Sequence, residues 1–285
     1  MLRNASLFLV LLAAAGIAQA QALDGRLKKI ADTKTITLAY RTDAAPFSFE
    51  DDKKQPIGYT IDICKRVANL IQNQIGAKEL AVKWVPVTSQ NRFDVVAKGQ
   101  ADLECGASTA TLSRMKQVDF SNYVFVDSTG LMALRPSNIR GLADLGGKRI
   151  GAVSGTTNER AVERLEQRRK LGIKMTAFKS RDEAWAALEE GRIDAFAGDK
   201  LLLLGGSMKA KDPKALNLLP EDLSFEPYAI ALPRNDSTLR QAVNAGLTHI
   251  YREGEIVSIF NKWFGALGEP TGLMRAMFVF GAVPE

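Results

Sequence analysis

The chain has few of the residues that build metal and redox centres. Its 285 residues include two cysteines, Cys64 and Cys105, and one histidine, His249. That set cannot fill a four-ligand zinc site without carboxylates at unusual spacing, so no metal and no other cofactor is expected. Long apolar runs are also missing. The apolar run Leu7 to Leu12, with the alanines that follow, falls short of the roughly 20 residues a spanning helix needs. Runs of one charge sign are absent too. The formal net charge is +6, with basic residues interspersed among acidic ones. This argues against a nucleic-acid partner and leaves a modest positive field that suits a small anion. The composition, 46% hydrophobic and 25% charged, excludes disordered and fibrous classes, and the length is enough for two lobes with separate cores.

The start of the chain reads as an export signal. Arg3 supplies the positive end, the short apolar run follows, and Ala18-Gln19-Ala20 offers a small-x-small cleavage site. Cleavage near Ala20 is expected, which removes Arg3 and lowers the charge from +6 to +5. No cysteine follows that site to carry a lipid, so a soluble protein of a bacterial periplasm is expected. A disulfide is chemically open to Cys64 and Cys105 in that compartment. Cys64 also falls on the apolar stripe of a helix pattern (Ile61, Cys64, Val67, Ala68, Ile71), where a buried thiol serves equally well. The residues leave both readings open.

A supersecondary pattern occurs twice. In the first copy a β-rich run from Thr35 to Tyr40 is followed by a loop, a helix from Thr60 to Gln74, and a strand from Ala81 to Val87. A short helix from Gln90 to Lys98, Gly99 in the left-handed conformation, and a strand from Ala101 to Cys105 complete it. The second copy runs through a strand from Arg149 to Val153, a helix from Asn158 to Lys170, and a strand from Lys174 to Phe178. It ends with a helix from Arg181 to Glu190 and a strand from Ile193 to Ala197. Two βαβαβ units imply two mostly parallel lobes. The β-rich stretches Tyr123 to Leu134 and Ser224 to Leu232 read as crossings between them, and helices near Ser237 to Glu253 and Glu255 to Gly265 return to the first lobe. The expected division is a signal at 1–20, lobe one at 21–126, lobe two at 127–227, and a return to lobe one with a tail at 228–285. The stretch after Gly268 has no clear period.

In open α/β sheets, ligands bind beyond the carboxyl ends of the strands. That rule selects Arg41 and the loop to Phe49, Ser89 with Arg92, and Ala107 to Arg114 in lobe one. In lobe two it selects Ser154 to Thr157, Ser180, Arg181, and Gly198 with Asp199. Four arginines, one acid and several hydroxyls suit a small zwitterion with an extra negative charge, since arginine forks grip carboxylates and an aspartate holds an ammonium. Arg114 lies near the start of a helix expected from Thr111 to Gln117, where a cation opposes the macrodipole and so suggests an anion nearby. Thr156 and Glu159 fit a capping box, while the same turn offers free N–H groups to a carboxylate. Asp199 serves equally as a turn or helix cap or as a ligand to an ammonium. Phe47 and Phe49 are core candidates on the cleft side.

These residues carry a resemblance. Pro46-Phe-Ser-Phe, Gly58-Tyr59, Thr88-Ser-Gln-Asn-Arg92, Glu104-Cys-Gly106, Arg114 with Asp119-Phe-Ser121, and Ser154-Gly-Thr-Thr157 are similar to stretches of periplasmic amino-acid-binding proteins of ABC transporters. Within that family, solute-binding protein family 3, the chain most resembles the glutamate/aspartate-binding members. The resemblance covers nearly all of the mature chain. It implies a type II periplasmic-binding-protein fold of two lobes joined by two hinge crossings, an amino-acid ligand, and a membrane permease as partner, with the binding protein itself a monomer. It further implies that Arg114 with Thr109 and Thr157 holds the α-carboxylate and that Asp199 holds the α-ammonium. Arg41, Ser89 and Arg92 then receive the side-chain carboxylate. Ala107 stands where that pattern has a serine, and Arg181 where it has a histidine.

Two rival classes share the fold: an exported enzyme of the dehydratase kind, and a sensor for another dicarboxylate. One acid among many arginines, with His249 remote from every strand end and only Glu50 and Glu104 as spare acids, gives no usual acid–base or nucleophile–base pair. A binding protein is the expectation.

Overall fold

The computed structural model describes residues 23–284; the expected export segment at 1–20 lies outside the described residues. The period-2 runs become strands at Thr35–Arg41, Ala81–Val87, Arg149–Val153 and Lys174–Phe178. In lobe one, Thr35–Arg41 pairs in parallel with Ala81–Val87 on one side and with the two-residue strand Leu103–Glu104 on the other. In lobe two, Arg149–Val153 lies parallel between Lys174–Phe178 and Ala195–Asp199.

Two longer strands connect the lobes. Val118–Leu134 and Ser224–Pro233 run antiparallel to each other, with Val118 opposite Pro233 and Thr129 opposite Ser224. The first continues into lobe two beside Ala195–Asp199, and the second borders Glu104 in lobe one. A single hydrogen-bonded sheet therefore passes through both lobes, with its parallel strands outside and the antiparallel hinge pair at the centre.

Each lobe has its own core. The helix Tyr59–Gln74 buries Ile61, Ile63, Cys64, Val67, Ala68 and Ile71, spacings that keep one face on the lobe-one sheet. Full burial of each aliphatic side chain contributes about 1.5–3 kcal/mol. Phe47 is fully buried there, edge-on to Phe125 at 4.8 Å and to Tyr228 at 5.1 Å, so it is core. Lobe two packs Leu131, Ile150, Val162 and Ala195 on one face of its sheet and Phe178, Leu188, Phe196 and Leu203 on the other.

Cys64 and Cys105 are joined in a disulfide with Cα atoms 6.2 Å apart. It pins the strand Leu103–Glu104 to the helix Tyr59–Gln74. The tail that showed no period forms a helix, Gly272–Gly281, capped by the Thr271 hydroxyl and packed through Phe278 on Tyr251. The helix expected from Thr111 to Gln117 is only a 3₁₀ turn, Arg114–Lys116. One turn aligns too few peptide dipoles for the macrodipole argument, so the position of Arg114 needs another explanation.

Candidate ligand-binding site

The lobes meet across the cleft: Gln90 Nε2 donates to the carbonyls of Ser154 and Lys179 at 3.1 and 3.0 Å. On one side of this junction three arginines are buried with most of their donors free. Arg41 ends its strand and places Nη2 2.5 Å from Asp43, while Arg92 begins a short helix and donates through Nη1 to the Ser89 carbonyl at 2.9 Å. Arg181 is the first residue of the helix capped by Ser180. All three are at most 6% exposed, and among the described residues the Nε atoms of all three, like Ser89 Oγ, have no hydrogen-bond partner. Burial, with Arg114 and Arg41 beside it, holds the pKa of Arg92 well below the ordinary guanidinium value. Burial likewise lowers that of Arg41, with Asp43 acting against the shift. Buried donors without acceptors are costly, and a planar carboxylate is the acceptor that fits guanidinium forks.

Two acids stand behind this basic pole. Burial raises the pKa of Asp43, but Arg41 and Arg181 outweigh it and hold the group below the usual carboxylate range. Glu104 has no exposed surface, and burial raises its pKa against the pull of Arg92 and Arg41. Gly106 allows the close approach, because a Cβ there would lie 2.2 Å from Glu104 Oε1 and 3.0 Å from Arg41 Cγ. Ala107 is buried in the lobe-one core beside it.

Arg114 spans the junction. Nη1 donates to the Thr109 carbonyl at 2.8 Å and Nη2 to the Gly155 carbonyl of lobe two at 3.3 Å, with the guanidinium 5.0 Å from the Phe93 ring centre. Burial first, then Arg160, pushes its pKa down to about 10. Thr156 caps the helix Thr157–Arg169: its hydroxyl accepts from Glu159 N–H and donates to the Val153 carbonyl, and Glu159 reaches back to Gly155 N–H at 2.8 Å. The Thr156 hydroxyl is thus occupied in capping, whereas Thr157 turns its side chain toward Glu226 on the hinge.

The other side of the site is acidic. Asp199 does not cap the helix that follows it. Its Oδ1 accepts from Asn158 Nδ2 and its Oδ2 from the Tyr228 hydroxyl, each at 2.5 Å. Glu226, fully buried on the second hinge strand, accepts from Thr109 and Thr157 at 2.6 Å. Asp127, on the first hinge strand, accepts from the N–H groups of Ser128 and Leu201. Burial and the charge of Asp199 push its pKa up to about 8. Burial and Glu226 raise that of Asp199.

The expectation of one acid among many arginines is thereby corrected. Glu226, Asp127, Asn158 and Tyr228 join the site, and all but Asn158 come from the hinge strands, which the rule of strand ends passes over. A signal for Glu226 and Tyr228 exists: period 2 puts them with Ser224 on one face of an otherwise apolar strand. Phe49 is not in this junction. It lies against Trp263 and lines a cavity of about 350 Å3 at the cleft mouth, with Asp43, Arg181 and Trp185.

The family model for bacterial extracellular solute-binding proteins, family 3, matches residues 36–266. The chain belongs to that family. A similar protein is the L-glutamate/L-aspartate-binding protein of Pseudomonas aeruginosa, 36% identical over 255 residues, which are 89% of this chain and 84% of that one. The glutamate/aspartate import solute-binding protein of Salmonella typhimurium is 33% identical over 260 residues, 90% of this chain and 86% of its own. Among solved structures, an ancestral arginine-binding protein bound to glutamine superposes with a TM-score of 0.73 at 27% identity, covering 81% of this chain and 98% of that one. Two-lobed architecture and family membership thus agree with the resemblance drawn from the sequence motifs.

Proposed function

We propose that this solute-binding protein captures an acidic amino acid, L-glutamate or L-aspartate, between its lobes and presents it to the permease of an ABC transporter. The observation that carries the reading is the division of one buried junction into a guanidinium pole with unpartnered donors and a carboxylate pole. A zwitterion with one further carboxylate matches that division. Arg114, with Thr109, Thr157 and the N–H of Thr156, holds the α-carboxylate, and Asp199 holds the ammonium. Arg41, Ser89, Arg92 and Arg181 take the distal carboxylate, and Ala107 lines the wall. The named ligands of the Pseudomonas and Salmonella relatives support the same choice.

In this reading lobe one comprises 21–126 and 228–285, lobe two 127–227. The protein is a periplasmic monomer released near Ala20, and it binds without catalysis. Ligand contacts come from both lobes, so the ligand favours the closed arrangement by its differential affinity for it, and closure reports occupancy to the permease.

Calorimetric titration of the mature protein, unfolded and refolded to remove carried-over ligand, tests this against L-glutamate, L-aspartate, their amides and a neutral amino acid. Micromolar or tighter binding, about −8 kcal/mol or better, is expected for the acids only. Amides lack the charge that the guanidinium pole requires and should bind at least about 100-fold more weakly. Equal binding of glutamine and glutamate would remove the specificity assigned to Arg41, Arg92 and Arg181.

A further inference from the structure

Glu226 has no exposed surface, yet four hydroxyls converge on it. Thr109 of lobe one and Thr157 of the lobe-two helix each place Oγ1 2.6 Å from Oε2. Thr129 and Ser224, on the two hinge strands, place their hydroxyl oxygens 2.8 and 2.6 Å from Oε1. A hydroxyl carries one proton, and a carboxylate accepts. Thr109 and Thr157 commit their protons to Glu226 and so turn lone pairs to anything else that approaches. Asn158 extends the same polarity by donating from Nδ2 to Thr129 Oγ1 at 2.8 Å and to Asp199 Oδ1 at 2.5 Å.

The main chain at the two threonines has the opposite character. Thr157 is the first residue of its helix, where the N–H has no intrahelical acceptor. Thr109 lies opposite Tyr228, and the flanking bonds run from Ala110 N–H to the Pro227 carbonyl and from Ala229 N–H to the Ser108 carbonyl. In that register the N–H and carbonyl of Thr109 point away from the partner strand, and the carbonyl accepts from Arg114.

From this geometry we infer that Glu226 is a positioning residue that sets the hydrogen-bond polarity of the pocket. It fixes the Thr109 and Thr157 hydroxyls as acceptors for the ligand's ammonium beside Asp199. The α-carboxylate is then left to the Arg114 guanidinium and the main-chain N–H groups of Thr109, Thr156 and Thr157. The inference rests on the amino-acid reading above and refines it: the two threonines contact the carboxylate through their backbone and the ammonium through their side chains.

Glu226→Gln keeps the shape but introduces a donor, so one of the converging hydroxyls must accept and turn its proton into the pocket. The mature wild type and this variant are titrated by calorimetry with L-glutamate and with glutarate, the same dicarboxylate without the amino group. The affinity for L-glutamate should fall by about ten-fold or more, while that for glutarate holds or rises because a negative charge has left the pocket. Weakening of both ligands by a common factor, or an unchanged ratio between them, overturns the inference, since a packing role moves both alike. Thr109→Val removes one polarised hydroxyl while leaving the Glu226 carboxylate with its other three hydroxyl donors, and should shrink the same ratio by at least about three-fold. It decides the matter if the glutamine variant does not fold. A wild type that binds neither L-glutamate nor L-aspartate overturns the amino-acid reading itself, and this inference with it.

Discussion

The two poles of the site are built on opposite principles. At the basic pole, Arg41, Arg92 and Arg181 are buried with Nε atoms that find no acceptor among the described residues, and like charges face one another. At the acidic pole every carboxylate is already supplied with donors: two for Asp199, two main-chain N–H groups for Asp127, four hydroxyls for Glu226. An under-satisfied buried group carries a penalty that a ligand relieves, about 1–3 kcal/mol for each, whereas a satisfied group offers geometry at little further gain. Affinity for the ligand is therefore concentrated where the arginines are, and discrimination between ligands where the acids are. The mechanical setting differs as well. Arg41 and Arg92 of the basic pole sit on lobe one, near the disulfide, and face Arg181 of lobe two, while Asp127 and Glu226 of the acidic pole sit on the hinge strands themselves.

The largest effect should come from cutting that cross-link. Cys64 and Cys105 are 41 residues apart, and closing such a loop restricts the unfolded chain by about 4 kcal/mol in the chain-entropy model. The Cys64→Ser/Cys105→Ser protein should lose stability of that order in urea titration. The loss should fall on the strand bearing Glu104, so hydrogen exchange should speed up behind the arginines before it does so on the hinge strands. Uniform acceleration would mean that the two poles are not mechanically separate.

Next in size is the removal of one guanidinium. Arg92→Met should weaken L-glutamate by about 3 kcal/mol, roughly 100-fold or more, because a charged, buried hydrogen-bonding partner is lost. The unliganded protein should melt no lower than the wild type, since Arg114 and Arg41 lose a repulsive neighbour. A drop in both melting temperature and affinity would show that Arg92 supports the fold as much as the site.

The acidic pole is tested by pH. Burial raises the pKa of Asp127 to about 8, against 3.8 for an ordinary aspartate, and that of Asp199 shifts in the same direction. A raised carboxyl keeps a proton that the unfolded chain has already released. Its contribution to stability is thus complete below pH 3.8 and is lost as pH rises to about 8. Over that window the unliganded protein should become less stable, by at most about 1.4 kcal/mol per pH unit for each proton held. A ligand ammonium favours the ionised pair, so binding should release protons near pH 7 and tighten as pH rises. Titration in buffers of different ionisation enthalpy measures this, and proton uptake on binding would reverse the assignment of Asp199 and Asp127 to the ammonium side.

The difference between the poles also governs what the sequence discloses. Strands such as Ala81–Val87 and Arg149–Val153 are legible because alternation and flanking turns are local properties. The basic pole follows from them, since Arg41, Arg92 and Arg181 stand at strand ends or helix starts. The acidic pole depends on register between segments far apart. Thr109 meets Glu226 across 117 positions, and Asn158 meets Asp199 across 41. No local pattern encodes those encounters. The pairing of Cys64 with Cys105 is hidden for the same reason, since its partners are 41 residues apart. The helix expected at Thr111 to Gln117 stops after one turn: Met115 N–H reaches the Thr111 carbonyl at 2.9 Å, but Gln117 N–H falls back on the Arg114 carbonyl and the chain enters the hinge strand at Val118, a tertiary demand that no local pattern announces.

The smallest effect separates capping from binding at one turn. Thr156 and Thr157 are neighbours with unlike tasks: the first ties the helix start to Glu159 and Val153, while the second points into the hinge toward Glu226. Thr156→Ala removes a cap and should lower stability by about 1 kcal/mol while changing L-glutamate affinity less than about three-fold, because its main-chain N–H survives the change. Thr157→Ala leaves that cap intact and should do the reverse, costing affinity with little change in melting temperature. If the two variants behave alike, the turn works as one unit and the division between a capping hydroxyl at Thr156 and a ligand-facing hydroxyl at Thr157 fails.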